Sequence, residues 1–269
     1  MPRPLTAWRR RPLIPASVAL HAAAMAAVAT RPATWPLALG AVIADHALLT
    51  AVGLWPRSRG LGLNWTRLPA SAGEAAVALT IDDGPDAAVT PRVLEILARA
   101  GVRATFFCVG ARVTAEPALV HEIVAAGHSV ENHSQNHLHR FSLLGPGAMR
   151  AEVERAQEAI AAVTGAAPRF FRAPAGLRNP FLDGVLESLS LELVSWTRRG
   201  FDTVARDPAL VLSRLTRGLA ARDIVLLHDG HAARVPGGTP VIVEVLPHLL
   251  ERFAAAGLRP VTLNEALPA

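Results

Sequence analysis

Lysine and tyrosine are absent from the 269 residues, cysteine occurs once, and charged residues make up only 18% of the chain. A typical soluble chain carries about 25% charged residues, so the deficit asks for an apolar segment to be located before any fold is argued. The lone Cys108 excludes an internal disulfide framework and a cysteine-based zinc site. Within Phe106-Phe107-Cys108-Val109 it reads as core packing. Without lysine, all 27 basic residues are arginine, and against 22 Asp plus Glu they leave a formal charge of +5. Arginines that never titrate favour anionic partners without choosing between phosphate, lipid and nucleic acid. A hydrophobic content of 51% excludes disorder as the main state. The length suits one large domain with an appendage, or two small domains.

The apolar surplus sits at the N-terminus. Leu13 to Thr30 is an Ala-rich run without a formal charge, and Trp35 to Trp55 is a second run interrupted only by Asp45 and His46. Segments of about 20 apolar residues match a bilayer core, so the chain predicts a two-helix membrane hairpin turning at Arg31-Pro32, with Trp35 and Trp55 at interfacial positions. Asp45 opposes this, since a carboxylate costs about 2.5 to 3.5 kcal/mol at the centre of a spanning helix. Pro15 and His21 weaken the first run, for which a cleaved signal sequence is the competing reading. Arg3, Arg9, Arg10 and Arg11 precede the first run, Arg31 alone lies between, and Arg57, Arg59 and Arg67 follow the second. If both segments span, the positive-inside rule puts the remainder of the chain in the cytoplasm; if only one spans, it lies outside. The expected division is residues 1–68 as membrane anchor and 69–269 as catalytic domain.

From about Ala75 the pattern changes to short β-branched runs alternating with helix-period segments. Strands are expected at Val77–Ile81, Ala104–Val109, Ser129–Glu131, Arg169–Phe171, Leu191–Trp196, Ile224–Leu227 and Pro260–Leu263. Helices are expected at Thr90–Ala100, Pro117–Ala126, Gly147–Thr164, Phe181–Leu189, Pro208–Ala221 and Thr239–Ala256. About seven strands alternating with helices argue a parallel sheet, and a closed or nearly closed β/α barrel suits that count better than an open sheet. Pro236-Gly237-Gly238-Thr239-Pro240 lacks the lysine and spacing of a phosphate-binding loop.

Polar residues crowd the C-terminal ends of these strands, the face where barrel enzymes carry their active sites. Asp82-Asp83-Gly84-Pro85-Asp86 ends the first, His133-Ser134-Gln135-Asn136-His137 follows the third, Arg172-Ala173-Pro174-Ala175-Gly176 ends the fourth, and His228-Asp229 ends the strand from Ile224. Two histidines four positions apart lie on one face of a helical turn and, with one carboxylate, make three ligands for a divalent metal. Adjacent carboxylates at the end of an apolar strand resist burial unless a cation is shared. A turn cap is the simpler alternative for the aspartates, and solvated or capping roles for the histidines.

Thr80-Ile81-Asp82-Asp83-Gly84-Pro85, His133-Ser134-Gln135-Asn136-His137, Arg172-Ala173-Pro174-Ala175-Gly176 and Leu226-Leu227-His228 resemble, in order, the motifs of the polysaccharide deacetylase family, carbohydrate esterase family 4. The resemblance covers about residues 75 to 265 and implies a distorted (β/α) barrel. It implies that Asp83, His133 and His137 bind a divalent metal, usually zinc, with cobalt as a substitute. Asp82 would then be the general base, Arg172 its tether and His228 the general acid, with Asp202 holding His228 protonated. Pro174, Ala175, Gly176, Trp196 and Leu226 would line the substrate site, the Ala175 backbone N–H holding the oxyanion. Ala175 departs from the family's usual aromatic residue, and the usual Asp-Trp pair of the fourth motif is missing, so Asp202 competes with a role in capping the helix at Pro208.

The expected activity is removal of N-acetyl groups from an amino-sugar glycan by a membrane-anchored hydrolase whose partners are that carbohydrate and membrane lipid, not nucleic acid. A polyprenyl-phosphate-linked sugar as substrate, O-deacetylation, and a non-catalytic glycan-binding protein are the alternatives. Among the remaining polar residues, His128 and His139 read as surface or capping histidines, Asn132 and Asn136 as braces of the metal loop, and His231 as within reach of substrate. Arg178, Arg198 and Arg199 fall on loops at the active face, where they could meet an anionic group.

Overall fold

The computed structural model describes residues 11–267; Arg3, Arg9 and Arg10 of the orientation argument lie outside them. Eight parallel strands form the central sheet: β1 (Ala76–Asp82), β2 (Thr105–Cys108), β3 (Ser129–Asn132), β4 (Phe170–Phe171), β5 (Glu192–Leu193), β6 (Arg198–Arg199), β7 (Ile224–His228) and β8 (Arg259–Val261). Their order is β5-β4-β3-β2-β1-β7-β6, and β8 pairs with the first half of β1. The strand expected at Leu191–Trp196 is shortened to β5, and the chain that continues from it forms the separate β6 at the opposite sheet edge. Glu192 and Leu193 pair with β4, the Val194 N–H donates to Phe171 O at 2.9 Å, the Thr197 N–H donates to Ile224 O at 2.9 Å, and Arg198 and Arg199 pair with β7. A single stretch of chain therefore curls the sheet into a distorted barrel. The short polar β6 carries no hydrophobic alternation, which is why it was not expected.

Strand periodicity decides which side chains enter the barrel. Along β1, Val77, Leu79 and Ile81 pack outward against helices, while Ala76 and Ala78 belong to the inner cluster. Thr80 and Asp82 continue that inward set by the two-residue period. On β7, Val225 and Leu227 face outward and Ile224 and Leu226 inward, so His228 ends on the inside. Phe107, Phe170, Val194 and Trp196 fill the same interior. Asp82 and His228, paired in register on adjacent strands, are thus delivered to the barrel mouth by alternation alone.

Helices cover the outer face at Thr90–Ala100, Pro117–Ala125, Pro146–Thr164, Leu182–Ser188, Pro208–Thr216 and Val241–Ala255. Gly101 and Gly165 take left-handed conformations and stop two of them. The helix from Pro208 ends at Thr216, earlier than expected, because Arg217 is extended and Gly218 has positive φ. An additional short helix, Gly110–Ala115, was not expected; six residues are too few to establish a helical period.

Two apolar helices precede the barrel, Leu13–Thr30 and Trp35–Gly53, joined by a 3₁₀ turn at Pro32–Thr34. Both are long and apolar enough to cross a membrane. They pack against each other, and the Ser17 hydroxyl donates to Asp45 at 2.6 Å, giving that carboxylate a partner. The end of the second helix is built into the barrel. The Arg178 N–H donates to Gly53 O at 3.1 Å, and the Ser195 hydroxyl donates to Pro56 O at 2.6 Å.

Gly53 reports on this seam. A β-carbon there would run into the carbonyl oxygen of Arg178. Helix propensity alone would make Gly53→Ala stabilising by about 1 kcal/mol, whereas overpacking against backbone costs about 1 to 3 kcal/mol. The expected outcome is net destabilisation, read as a lowered midpoint in thermal unfolding of the solubilised chain; a raised midpoint would show that the seam yields.

Candidate active site

The site begins with a buried ion pair. Arg172 directly follows β4, and its fully buried guanidinium donates through Nη1 to Asp82 Oδ1 at 2.6 Å and to Thr80 Oγ1 at 2.8 Å. Nη2 donates to Ser195 O at 2.9 Å and Nε to Val194 O at 3.3 Å, while the group lies 4.1 Å from the centre of the Phe107 ring. Burial pulls the Arg172 pKa down, and Asp82 is the counter-charge that opposes it. Asp82 therefore has one oxygen occupied. Its other, Oδ2, lies 3.9 Å from His133 Nε2 and faces the same pocket.

Asp83 turns the other way because its backbone is left-handed, with φ 73°. His133 and His137 were expected on a helical turn; they instead lie on a loop after β3, bent by positive φ at Ser134 and at His137 itself. Three contacts hold that loop. Asn132 Oδ1 accepts from the Ser134 N–H at 2.9 Å, Ser134 Oγ accepts from the His137 N–H at 3.1 Å, and Asn136 bonds Glu152 through both its backbone and its amide. Asn132 and Asn136 thus brace the loop from below.

The result is a three-ligand cluster. Asp83 Oδ1 lies 3.1 Å from His133 Nε2 and 3.1 Å from His137 Nε2, and one ligand atom from each residue lies within 4.8 Å of the others. The His133 Nδ1 bonds the Arg172 carbonyl at 2.8 Å, which requires the proton on Nδ1 and leaves the Nε2 lone pair facing the carboxylate. Asp83 Oδ1 is buried and receives no hydrogen bond. Lone pairs converging on an unpartnered buried oxygen fit a divalent cation, and the Asp-His-His donor set suits zinc.

Opposite this cluster, His228 Nδ1 lies 2.9 Å from Asp202 Oδ1, and Asp202 Oδ2 accepts the His228 backbone N–H at 2.7 Å. Burial lowers the imidazole's pKa, but the fully buried Asp202 outweighs it and pushes it up to about 9. The helix from Pro208 is capped by Asp207, whose side chain accepts from the Ala209 N–H.

A pocket of about 270 Å³ joins these groups, lined by Asp82, Asp83, His133, His137, Ala175, Gly176, Trp196, Leu226 and His228. Arg172 and Asp202 stand behind Asp82 and His228. Pro174 is buried away from the pocket wall, contrary to the expectation, because the 3₁₀ turn Pro174–Gly176 presents Ala175, at φ 54°, instead. Of the three loop arginines, only Arg199 reaches the pocket, with its guanidinium 5.2 Å from the Trp196 ring. Arg198 is ion-paired to Asp223, and Arg178 is buried elsewhere. His139 and Thr203 also line the pocket, and His231 lies 3.4 Å from Asp83 Oδ2. The sequence gave no signal for Thr203 and read His139 as a surface or capping residue, whereas His231 was expected within reach of substrate; loop geometry brings all three to the pocket. His128, read as a surface or capping histidine, is buried and accepts the Ala104 backbone N–H.

A distorted parallel (β/α) barrel with a metal-type ligand triad between a carboxylate and an aspartate-paired histidine has the layout of a hydrolytic enzyme. The family model for polysaccharide deacetylase matches residues 70–194. A chitooligosaccharide deacetylase of Bradyrhizobium is 35% identical over 161 residues, 60% of this chain and 73% of that protein. A peptidoglycan-N-acetylglucosamine deacetylase of Listeria monocytogenes is 33% identical over 61% of this chain, a match spanning about a third (34%) of its own length. The solved family 4 carbohydrate esterase of Streptomyces lividans superposes with a TM-score of 0.63 at 32% identity, over 69% of this chain and 91% of its own. The chain belongs to the polysaccharide deacetylase family.

The Asp82–Arg172 pair tests the site's foundation. Arg172→Met leaves a buried carboxylate uncompensated and is expected to cost about 3 to 5 kcal/mol, while Asp82→Asn combined with Arg172→Met should recover much of it. Denaturant midpoints of the single and double variants measure this; additive losses would mean the two residues act independently.

Proposed function

We propose that this chain is a membrane-anchored carbohydrate deacetylase that hydrolyses N-acetyl groups on an amino-sugar glycan. The observation that carries the reading is the opposition of two differently prepared groups across one ligand triad. Asp82 is a carboxylate pinned by Arg172, and His228 is an imidazole held protonated by Asp202. A glycan-binding protein needs neither.

Asp83, His133 and His137 would hold a divalent metal, zinc or cobalt by their donor types, which when bound would supply Lewis-acid polarisation of the amide carbonyl and lower the pKa of the attacking water toward about 7. With Oδ1 engaged by Arg172, Asp82 takes the proton of the attacking water at Oδ2. The Ala175 backbone N–H donates to the carbonyl oxygen as charge develops there. His228 delivers its proton to the amine nitrogen, without which an amine does not leave. Trp196 and Leu226 form an apolar wall suited to the acetyl methyl, and Ala175 and Gly176 leave the groove floor wide for the sugar. The two N-terminal helices, apolar and largely without cover from the rest of the chain, hold the barrel at a bilayer. The arginines flanking them favour the cytoplasmic side, where a polyprenyl-phosphate-linked amino sugar is the accessible form of such a substrate.

Purified full-length protein is expected to release acetate from N-acetylglucosamine oligomers or lipid-linked N-acetylated sugars, to stop on chelation and to recover with zinc or cobalt. Asp82→Asn should keep its metal while kcat falls by about 10²- to 10⁴-fold; undiminished turnover would remove Asp82 from the mechanism.

The general acid must be protonated, so activity is lost as pH rises through the His228 pKa of about 9. Asp202→Asn removes the charge that raises it, and the basic limb of kcat/KM should move to lower pH. A limb that stays in place would assign it to another group.

A further inference from the structure

We propose that the groove between the N-terminal helices and the barrel binds a phosphate-bearing lipid, with Arg178 as the headgroup ligand. This goes beyond the hydrolytic reading and does not depend on it.

The groove encloses about 470 Å³, with Val18 and Leu49 from the two apolar helices, Leu54 beyond them, and Leu143 and Phe181 from barrel loops among its lining residues. Leu143 is 83% exposed, Leu54 56% and Phe181 50%, so large apolar side chains from three separate segments stand open around one cavity. Water is a poor occupant for such a wall, and acyl chains are a good one.

Arg178, which lines the same groove, supplies the polar requirement. It is 4% exposed, yet its Nε and Nη1 find no acceptor; only Nη2 is used, donating to Ser58 O. Among the described residues no carboxylate oxygen lies within ion-pair distance of it. Asp183, whose charge it feels, is paired to Arg11. Burial lowers the Arg178 pKa to about 10, which still leaves a cation at neutral pH. An unpaired buried guanidinium beside an apolar cavity is costly unless an anion joins it. Arginine's planar fork suits a phosphate in particular. A ligand meeting both demands is amphiphilic, with apolar chains against the helices and a phosphate at Arg178.

The position couples this ligand to the barrel mouth. Within Pro174–Phe181, Ala175 and Gly176 line the reaction pocket, whereas Arg178 to Phe181 line the groove. A lipid held at Arg178 braces the loop that carries the pocket rim.

Native mass spectrometry of the full chain in nonionic detergent, with phosphatidylglycerol, diacylglycerol of the same chains, or inorganic phosphate added, tests the proposal. The wild type should retain one phosphatidylglycerol, retain no diacylglycerol, and keep its lipid against equimolar inorganic phosphate. Arg178→Gln should retain at least ten-fold less, with an exposed-arginine control, Arg206→Gln, unchanged. Equal retention by Arg178→Gln and wild type, retention of diacylglycerol, or displacement by inorganic phosphate would each overturn it. Val18→Trp fills the groove without touching the charge and covers the case in which Arg178→Gln does not fold. Loss of the lipid there supports the site, and full retention overturns it.

Discussion

The buried contact between Arg172 and Asp82 is the constraint on which the rest depends. Arg172 bonds Asp82 and Thr80 on β1 and the carbonyls of Val194 and Ser195 on the barrel-closing stretch, while its own carbonyl orients His133. One residue therefore ties together Asp82, His133 and the seam of the barrel. A buried pair of this kind contributes little net stability by itself, because desolvation offsets most of the Coulomb attraction. Its value lies in what fails when it is broken, since either charge alone in that interior is strongly unfavourable.

The same low-dielectric interior separates two chemical tasks by environment. Asp82 and Asp83 are neighbours in sequence, but left-handed backbone at Asp83 sends one carboxylate to Arg172 and the other to the histidines. Across the pocket, burial acts to neutralise His228, and the fully buried Asp202, with smaller contributions from Asp82 and Asp83, holds it protonated. The Asp82 carboxylate and the His228 imidazole are thus conditioned by neighbours that do not line the pocket. Substitutions behind the site are as informative as those within it.

The apolar helices do more than precede the barrel. Gly53 closes against Arg178, Pro56 accepts from Ser195, and a β-carbon on Gly176 would approach Trp196 to 2.6 Å and Pro56 to 2.7 Å. The chain leaving the second helix therefore packs on the loop and strand that wall the reaction pocket. Whatever solvates those helices is mechanically connected to the pocket rim, and Arg178 sits on that connection.

Much of this was legible in the residues. The short apolar runs Val77–Ile81 and Ile224–Leu227, and the clustering of Asp82, Asp83, His133, His137, Arg172 and His228 at strand ends, are local patterns that one-dimensional spacing records. The long apolar runs from Leu13 and Trp35 specified two long helices in the same way. What sequence could not supply depends on positive φ and on long-range packing. The division of residues 192–199 between two sheet edges, the loop rather than helical presentation of His133 and His137, the arrival of His231 beside Asp83 and the retreat of Pro174 from the pocket all follow from chain geometry. Arg178 and Arg199 read alike as loop arginines. Tertiary structure alone separated them, because the environment of a charge is set by residues distant in the chain: it placed Arg199 over Trp196 and sealed Arg178 against Ser58 with two donors unpaired.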